Sequence, residues 1–181
     1  NLSVLCLFLF VSLSYADERS DARATAVMKK ISAEAALTSI LPIAPPYIAK
    51  KNSFQQSAAF LDGVYAAKVA AGTITQADQA TFNALRTAYK AGISSLGDAC
   101  TTAQTKLQQA VTLEGAGDDE FALGENGQND TLAVFDYNIA TEKYTQSILS
   151  SVAASDNLHL EDNGIPVTQN KLNQAFMLLN Q

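Results

Sequence analysis

Residues 82–110 read FNALRTAYKAGISSLGDACTTAQTKLQQA, and the placing of the apolar side chains in this stretch decides the fold. Phe82, Leu85, Tyr89, Ile93, Leu96, Cys100, Ala103, Leu107 and Ala110 recur at gaps of 3, 4, 4, 3, 4, 3, 4 and 3, which is 28 residues in eight steps, or 3.5 per step. That period keeps one narrow seam turned toward a partner over many turns and predicts a long helix packed in a left-handed bundle. Thr75 with Asp78 marks its start, where a side-chain oxygen satisfies the unpaired amides of the first turn. Gly92 and Gly97 each cost about 1 kcal/mol relative to Ala in a helix, so a bend or break is expected there, with Asp98 as a new cap.

Working outward, a first helix is expected from near Glu18 to Leu41, its apolar face formed by Val27, Ile31, Ala35, Leu37, Ile40 and Leu41. Pro42, Pro45 and Pro46 predict a stiff connector from Pro42 to Lys51, because proline has no amide to donate and biases the residue before it toward extended geometry. Ser53 with Gln56 predicts the start of a second helix that carries Phe54, Ala58, Leu61 and Tyr65 and ends at Gly72. Beyond the seam, Glu114 to Asp130 holds Gly115, Gly117, Gly124, Gly127 and six acidic residues, and reads as a loop. A helix from about Thr131 to Ala153 follows, with Leu132, Phe135, Ile139, Tyr144, Ile148 and Val152 toward the core. Ser155 to Val167 reads as a polar connector, and Thr168 as the cap of a last helix presenting Leu172, Ala175, Phe176 and Leu179. The fold class expected is all-α: an antiparallel four- or five-helix bundle with one long central helix.

Residues 1–16 include twelve apolar residues, then meet Asp17-Glu18-Arg19, with Ser14 and Ala16 placed as the small residues of a signal-peptidase site. The expectation is a cleaved secretory signal over 1–16, a single helical-bundle domain over 17–181, an extracellular location and no stable membrane span after cleavage. Cleavage would remove Cys6 and leave Cys100 unpaired; its place on the seam predicts burial as a small hydrophobe. Asn129-Asp130-Thr131 is an N-glycosylation sequon.

The chain has 181 residues, 12 Lys+Arg, 18 Asp+Glu, one His and no Trp. A formal net charge of −6 argues against a nucleic-acid partner, which needs a basic stripe to displace phosphate counterions. The charge is divided: up to Thr112 ten basic residues face seven acidic ones, and from Leu113 onward Lys143 and Lys171 face eleven carboxylates, so +3 and −9 sum to −6. The two segments can attract one another, or the acidic one can meet a basic partner.

Chemistry is sparse. A nucleophile needs a positioned base, and His159 is the single histidine, with no Gly-x-Ser-x-Gly elbow beside it. Gly115-Ala116-Gly117 lacks the third glycine and the preceding strand of a dinucleotide fingerprint. Oxygen-rich runs at Asp156 to Gly164, and at Asp118-Asp119-Glu120 with Glu125 and Asp130, do not follow the EF-hand order and read as solvated turns. No catalytic residue, cofactor or metal is expected. The function expected is a secreted, non-enzymatic binding protein carrying an apolar small molecule between helices lined by Phe82, Tyr89, Phe135 and Tyr144. The alternative is a structural or accessory subunit of a matrix, wall or enzyme-inhibitor type, whose partner is an extracellular protein.

Overall fold

The computed structural model describes the backbone of residues 2–181 and the side chains of residues 17–181. The side chains of the expected signal segment, 1–16, lie outside the described residues. Five helices follow in order: α1 (Leu2–Ile40), α2 (Ala44–Ala70), α3 (Gln76–Asn126), α4 (Asp130–His159) and α5 (Gly164–Leu179), and no strand occurs among the described residues. The protein is an all-α helical bundle whose longest element, the 51-residue α3, carries the predicted seam. Along it Phe82, Tyr89, Leu96, Cys100, Ala103 and Ala110 are buried.

Packing divides the chain into two compact units, one of Asn1–Ile40 with Lys106–Ala153, the other of Leu41–Thr105 with Ala154–Gln181. In the first, α1 and α4 both run antiparallel to the C-terminal part of α3. Arg23 pairs with Glu125 and Lys30 with Asp118, while Gly117 lies against Tyr144 and Gly124 against Tyr137. Its core is Ala26, Ala33, Ala133, Tyr137, Ala140 and Tyr144, with Ala22, Phe121 and Ile148 packed on it. In the second, α2 is antiparallel to α3, with Tyr65 stacked on Phe82 at 4.3 Å between ring centroids. Tyr47 meets Asp162 and Lys50 meets Gln169, so α2 and α5 advance in the same direction.

Several expectations are corrected. The segment from Glu114 is not a loop: α3 runs on through Gly115, Gly117 and Gly124 to Asn126. Two of these glycines serve close packing, since a Cβ at Gly117 would lie 2.6 Å from the Tyr144 ring and one at Gly124 would lie 2.7 Å from the Tyr137 ring. Gly92 also stays helical and serves close packing, since a Cβ there would lie 2.0 Å from the Thr168 hydroxyl, and no break occurs at Gly97. The prolines do not hold a connector to Lys51. Pro45 and Pro46 occupy the first turn of α2, where no amide bond is forfeited, and Ser53 and Gln56 lie inside that helix. Thr168 caps nothing; α5 begins at Gly164, and Thr168 is buried in its interior, so the connector expected from Ser155 shrinks to residues 160–163.

The buried faces of α1 and α4 agree only in part with those expected. On α1 Leu37 and Ile40 are buried as expected, but Ile31 and Leu41 are exposed and Ala26 and Ala33 are buried instead. On α4 Tyr144 is buried as expected and Ile148 packs on the core, but Leu132, Phe135 and Val152 point out, and Ala133, Tyr137, Ala140, Ser147 and Ser151 point in. Small residues let helix axes approach, and close approach leaves room inside only for Ala, Gly, Ser and rings laid over glycine. By contrast α2 buries Phe54, Ala58 and Leu61 as expected and stops at Ala70, just before Gly72, which takes the left-handed φ of +66° suited to a helix stop. The start of α3 is capped as predicted, the Asp78 amide donating to Thr75 Oγ1 at 3.1 Å.

Candidate functional site: the groove between α2 and α5

In the second unit, α2 turns Phe54, Ala58 and Leu61 inward and α5 turns Leu172, Ala175 and Leu179 inward. Phe60 precedes the buried Leu61 and Phe176 follows the buried Ala175, so each ring sits at the shoulder of its helix, 59% and 51% exposed. Between the shoulders lies a groove of about 380 Å³, bounded by Phe60, Leu61, Leu172 and Phe176 with Gln56, Ser57 and Asn173 at its polar rim. Every group lining it is uncharged. Apolar walls with a few neutral donors and acceptors suit a small neutral molecule, and the volume falls in the range of small-molecule sites.

The four aromatic residues expected to line a ligand space are placed elsewhere. Phe82 and Tyr89 are fully buried in the second unit; Tyr144 is fully buried in the first, and Phe135 is 61% exposed on α4. None of them lines the α2–α5 groove. Phe176 was visible as part of the apolar pattern of α5, but Phe60 falls outside the buried periodicity of α2. A large aromatic residue next to a core position on two different helices is the sequence signal that points to such a groove.

The buried tyrosines have another role. Tyr144 donates its hydroxyl to Asp118 at 2.6 Å, and Lys30 pairs with the same carboxylate at 2.9 Å. Seven residues along each helix the arrangement recurs, Tyr137 donating to Glu125 at 2.8 Å while Arg23 pairs with it. In the second unit Tyr89 donates to Asp62 at 3.1 Å, and Arg86 and Lys90 flank that carboxylate at 2.9 and 2.8 Å. Burial alone would push Asp118 up, but the bonds from Tyr144 and Lys30 outweigh it and hold the carboxyl below its usual range. Asp62 behaves in the same way through Lys90, Arg86 and Tyr89. Glu125 is lowered chiefly by Arg23 and then by Tyr137. The phenols move the other way, Tyr89 and Tyr144 being raised first by burial.

Lys30 and Arg23 thus bind α1 to the acidic C-terminal part of α3, and Arg19 joins α1 to Asp130 at the head of α4 at 2.8 Å. They also occupy Asp118, Glu125 and Asp130. Among the described residues no group of three or more His, Cys, Asp or Glu side chains could hold a metal ion.

His159 lies in a second polar cluster, its Nδ1 3.1 Å from Asp162 and 3.3 Å from the Tyr47 hydroxyl, which donates to Asp162. A cavity of about 240 Å³ adjoins it, lined by Pro46, Tyr47, Lys50, Asp162 and Ile165. Burial, then the Asp162 bond, pushes Tyr47 up to about 12, so at neutral pH the phenol is a donor and not a base. The cluster ties the α4–α5 turn to α2, and Ser95 ties it to α3 by donating to Glu161 at 2.6 Å. Cys100 is free and buried, its thiol pushed up chiefly by desolvation. Asn129 is exposed at the head of α4, where Oδ1 accepts from the amides of Thr131 and Leu132 at 2.9 and 3.2 Å.

No helix among the described residues is long and apolar enough to cross a membrane. Comparison with protein-family models, with curated proteins and with solved structures finds no match for this chain.

Proposed function

We propose that this chain is an exported, non-enzymatic binding protein that takes a small, neutral, apolar molecule into the groove between α2 and α5. The observation that carries the reading is the pair of half-exposed rings, Phe60 and Phe176, lining one groove with the buried Leu61 and Leu172 and with no charged group in the lining. Export rests on the apolar stretch 1–16 and its small residues before Asp17, and on the Asn129 sequon, whose amide nitrogen is left available while Oδ1 caps α4.

The test is a titration with Nile red, a neutral probe, followed by its displacement with neutral apolar compounds. Replacing Phe60 and Phe176 by Ala together should weaken uptake about 10- to 100-fold, the worth of removing one to two buried aromatic contacts, with the circular dichroism unchanged. Equal uptake by the double variant, or none by the native chain, would remove the groove from consideration. A second reading, an accessory subunit acting through its outer surface, is favoured by one specific observation: Leu132, Phe135, Leu149 and Val152 all stand exposed along α4.

A further inference from the structure

The polar rim of the α2–α5 groove has a set polarity on its α5 side, imposed from one helical turn away. Lys50 Nζ, on α2, donates to Gln169 Oε1 at 3.0 Å, and Gln169 Nε2 donates to Asn173 Oδ1 at 3.1 Å. The direction of this chain is not interchangeable. An ammonium has three donors and no acceptor, so the part of the Gln169 amide that meets it must be the carbonyl oxygen. The amide nitrogen of Gln169 is then what remains for Asn173, and Asn173 must answer it with oxygen. Lys50 is steadied for this role by the Phe54 ring, whose centroid lies 4.9 Å from Nζ.

Asn173 lines the groove, and with Oδ1 committed to Gln169 the two N–H donors on its Nδ2 have no protein partner among the described residues. On the α2 side Ser57 spends its proton on the Ser53 carbonyl at 3.0 Å and offers only lone pairs, while Gln56 carries groups of both kinds. The donor whose direction is dictated by its neighbours is therefore Asn173. A donor at the edge of an apolar wall selects an acceptor, because an oxygen that leaves water costs free energy unless it regains the hydrogen bond it gave up. A carboxylate would enter a space whose lining holds no cation, a larger cost that a neutral oxygen avoids.

On the reading that the groove is the binding site, we infer that its ligand is a neutral molecule carrying a carbonyl oxygen on an apolar body, that Asn173 recognises this oxygen, and that Lys50 and Gln169 are positioning residues that keep Asn173 turned as a donor. One isosteric exchange should undo the choice. Gln169→Glu keeps an oxygen for Lys50 but offers no donor to Asn173, whose amide then turns over, gives Nδ2 to the new carboxylate and meets the groove with Oδ1.

The full chain is titrated with 2-acetylnaphthalene, a ketone, and with 2-isopropylnaphthalene, a hydrocarbon of nearly the same shape, by displacement of Nile red. The ratio of ketone to hydrocarbon affinity should fall about 2- to 10-fold in Asn173→Leu, the worth of one neutral hydrogen bond, and at least as far in Gln169→Glu, with circular dichroism unchanged in both. Taking a ratio cancels any change in the groove that bears on the two compounds alike. The carbonyl stretch of the bound ketone should also lie at lower frequency in the native chain than in either variant. A native chain that binds both compounds with a ratio neither variant alters overturns the role of Asn173 and leaves the groove standing. A ratio that falls in Asn173→Leu but not in Gln169→Glu overturns the positioning by Lys50 and Gln169. A native chain that binds neither compound removes the groove as a binding site, and the carbonyl specificity with it.

Discussion

Gly117 and Gly115 lie two residues apart in the same helix, and alanine at the two sites should have opposite consequences. Both substitutions relieve a helix-interior glycine, a gain of about 0.5–1 kcal/mol from propensity and unfolded-state entropy. At Gly115 nothing lies within 4 Å of the added methyl, so the full gain is expected. At Gly117 the methyl would sit 2.6, 2.8 and 3.0 Å from three carbons of the Tyr144 ring, where carbon atoms prefer 3.5–4.0 Å. The ring cannot swing aside, because it is fully buried and its hydroxyl is tied to Asp118 at 2.6 Å. Overpacking of this kind costs about 1–3 kcal/mol, so the two variants should differ by that amount. At about 2–4 °C per kcal/mol for a chain of this size, a 2 kcal/mol gap separates their melting temperatures by about 4–8 °C, Gly115→Ala being the higher. Thermal melts and urea titrations of both variants give the difference, and a double-mutant cycle of Gly117→Ala with Tyr144→Ala assigns it, with a coupling of at least about 1 kcal/mol expected. If the two alanines stabilise alike and the cycle shows no coupling, the close approach of α3 and α4 in this layer is wrong.

The carboxylates predict the response to acid. Asp62, Asp118 and Glu125 titrate lower in the folded chain than in the unfolded one, so their stabilisation is complete above the unfolded carboxyl range near pH 4 and is lost as pH falls through their lowered values. Glu114, raised chiefly by burial and then by Asp118, opposes the trend as pH falls through its raised value. Urea midpoints between pH 7 and pH 2 should therefore fall steeply below about pH 4. An Asp118→Asn variant should show a shallower fall, and one that matches the native profile would deny Asp118 its part. Replacing Asn129 by Ala removes the cap of α4 and should cost about 1 kcal/mol by urea titration, while Asn129→Asp, which keeps an acceptor, should cost less.

How much of this was legible depends on the size of the side chains that do the packing. The period of residues 82–110 announced α3 because Phe82, Tyr89 and Leu96 are large, apolar and buried. The same seam continues at intervals of seven through Ala103, Ala110, Gly117 and Gly124, its side chains shrinking as it goes, and a reading keyed to hydrophobicity loses it there. Glycine is scored as a helix breaker, and Gly117-Asp118 and Gly124-Glu125 look like loop. Their meaning appears only beside Tyr144 and Tyr137, spaced by the same seven residues on a helix that runs the other way, and Lys30 and Arg23, again seven apart. Three matching intervals were available in the sequence; what joined them was the antiparallel pairing, which no local pattern supplies. The groove was illegible for a related reason, since Phe60 and Phe176 stand outside the buried faces that periodicity detects.

The exchange of large for small residues in the first unit also explains why its surface is as apolar as it is. A core built from Ala26, Ala33, Ala133, Ala140 and two tyrosines removes less apolar area from water than the Phe, Leu and Ile cores of most bundles. Fixed geometry compensates in part: each tyrosine ring packs closely against a glycine and is anchored by a carboxylate that a lysine or arginine on α1 also holds. Tyr137, Tyr144 and Ile148 serve the interior of α4, and Leu132, Phe135, Leu149 and Val152 are left on its outer side, where the small residues opposite them leave no room inside.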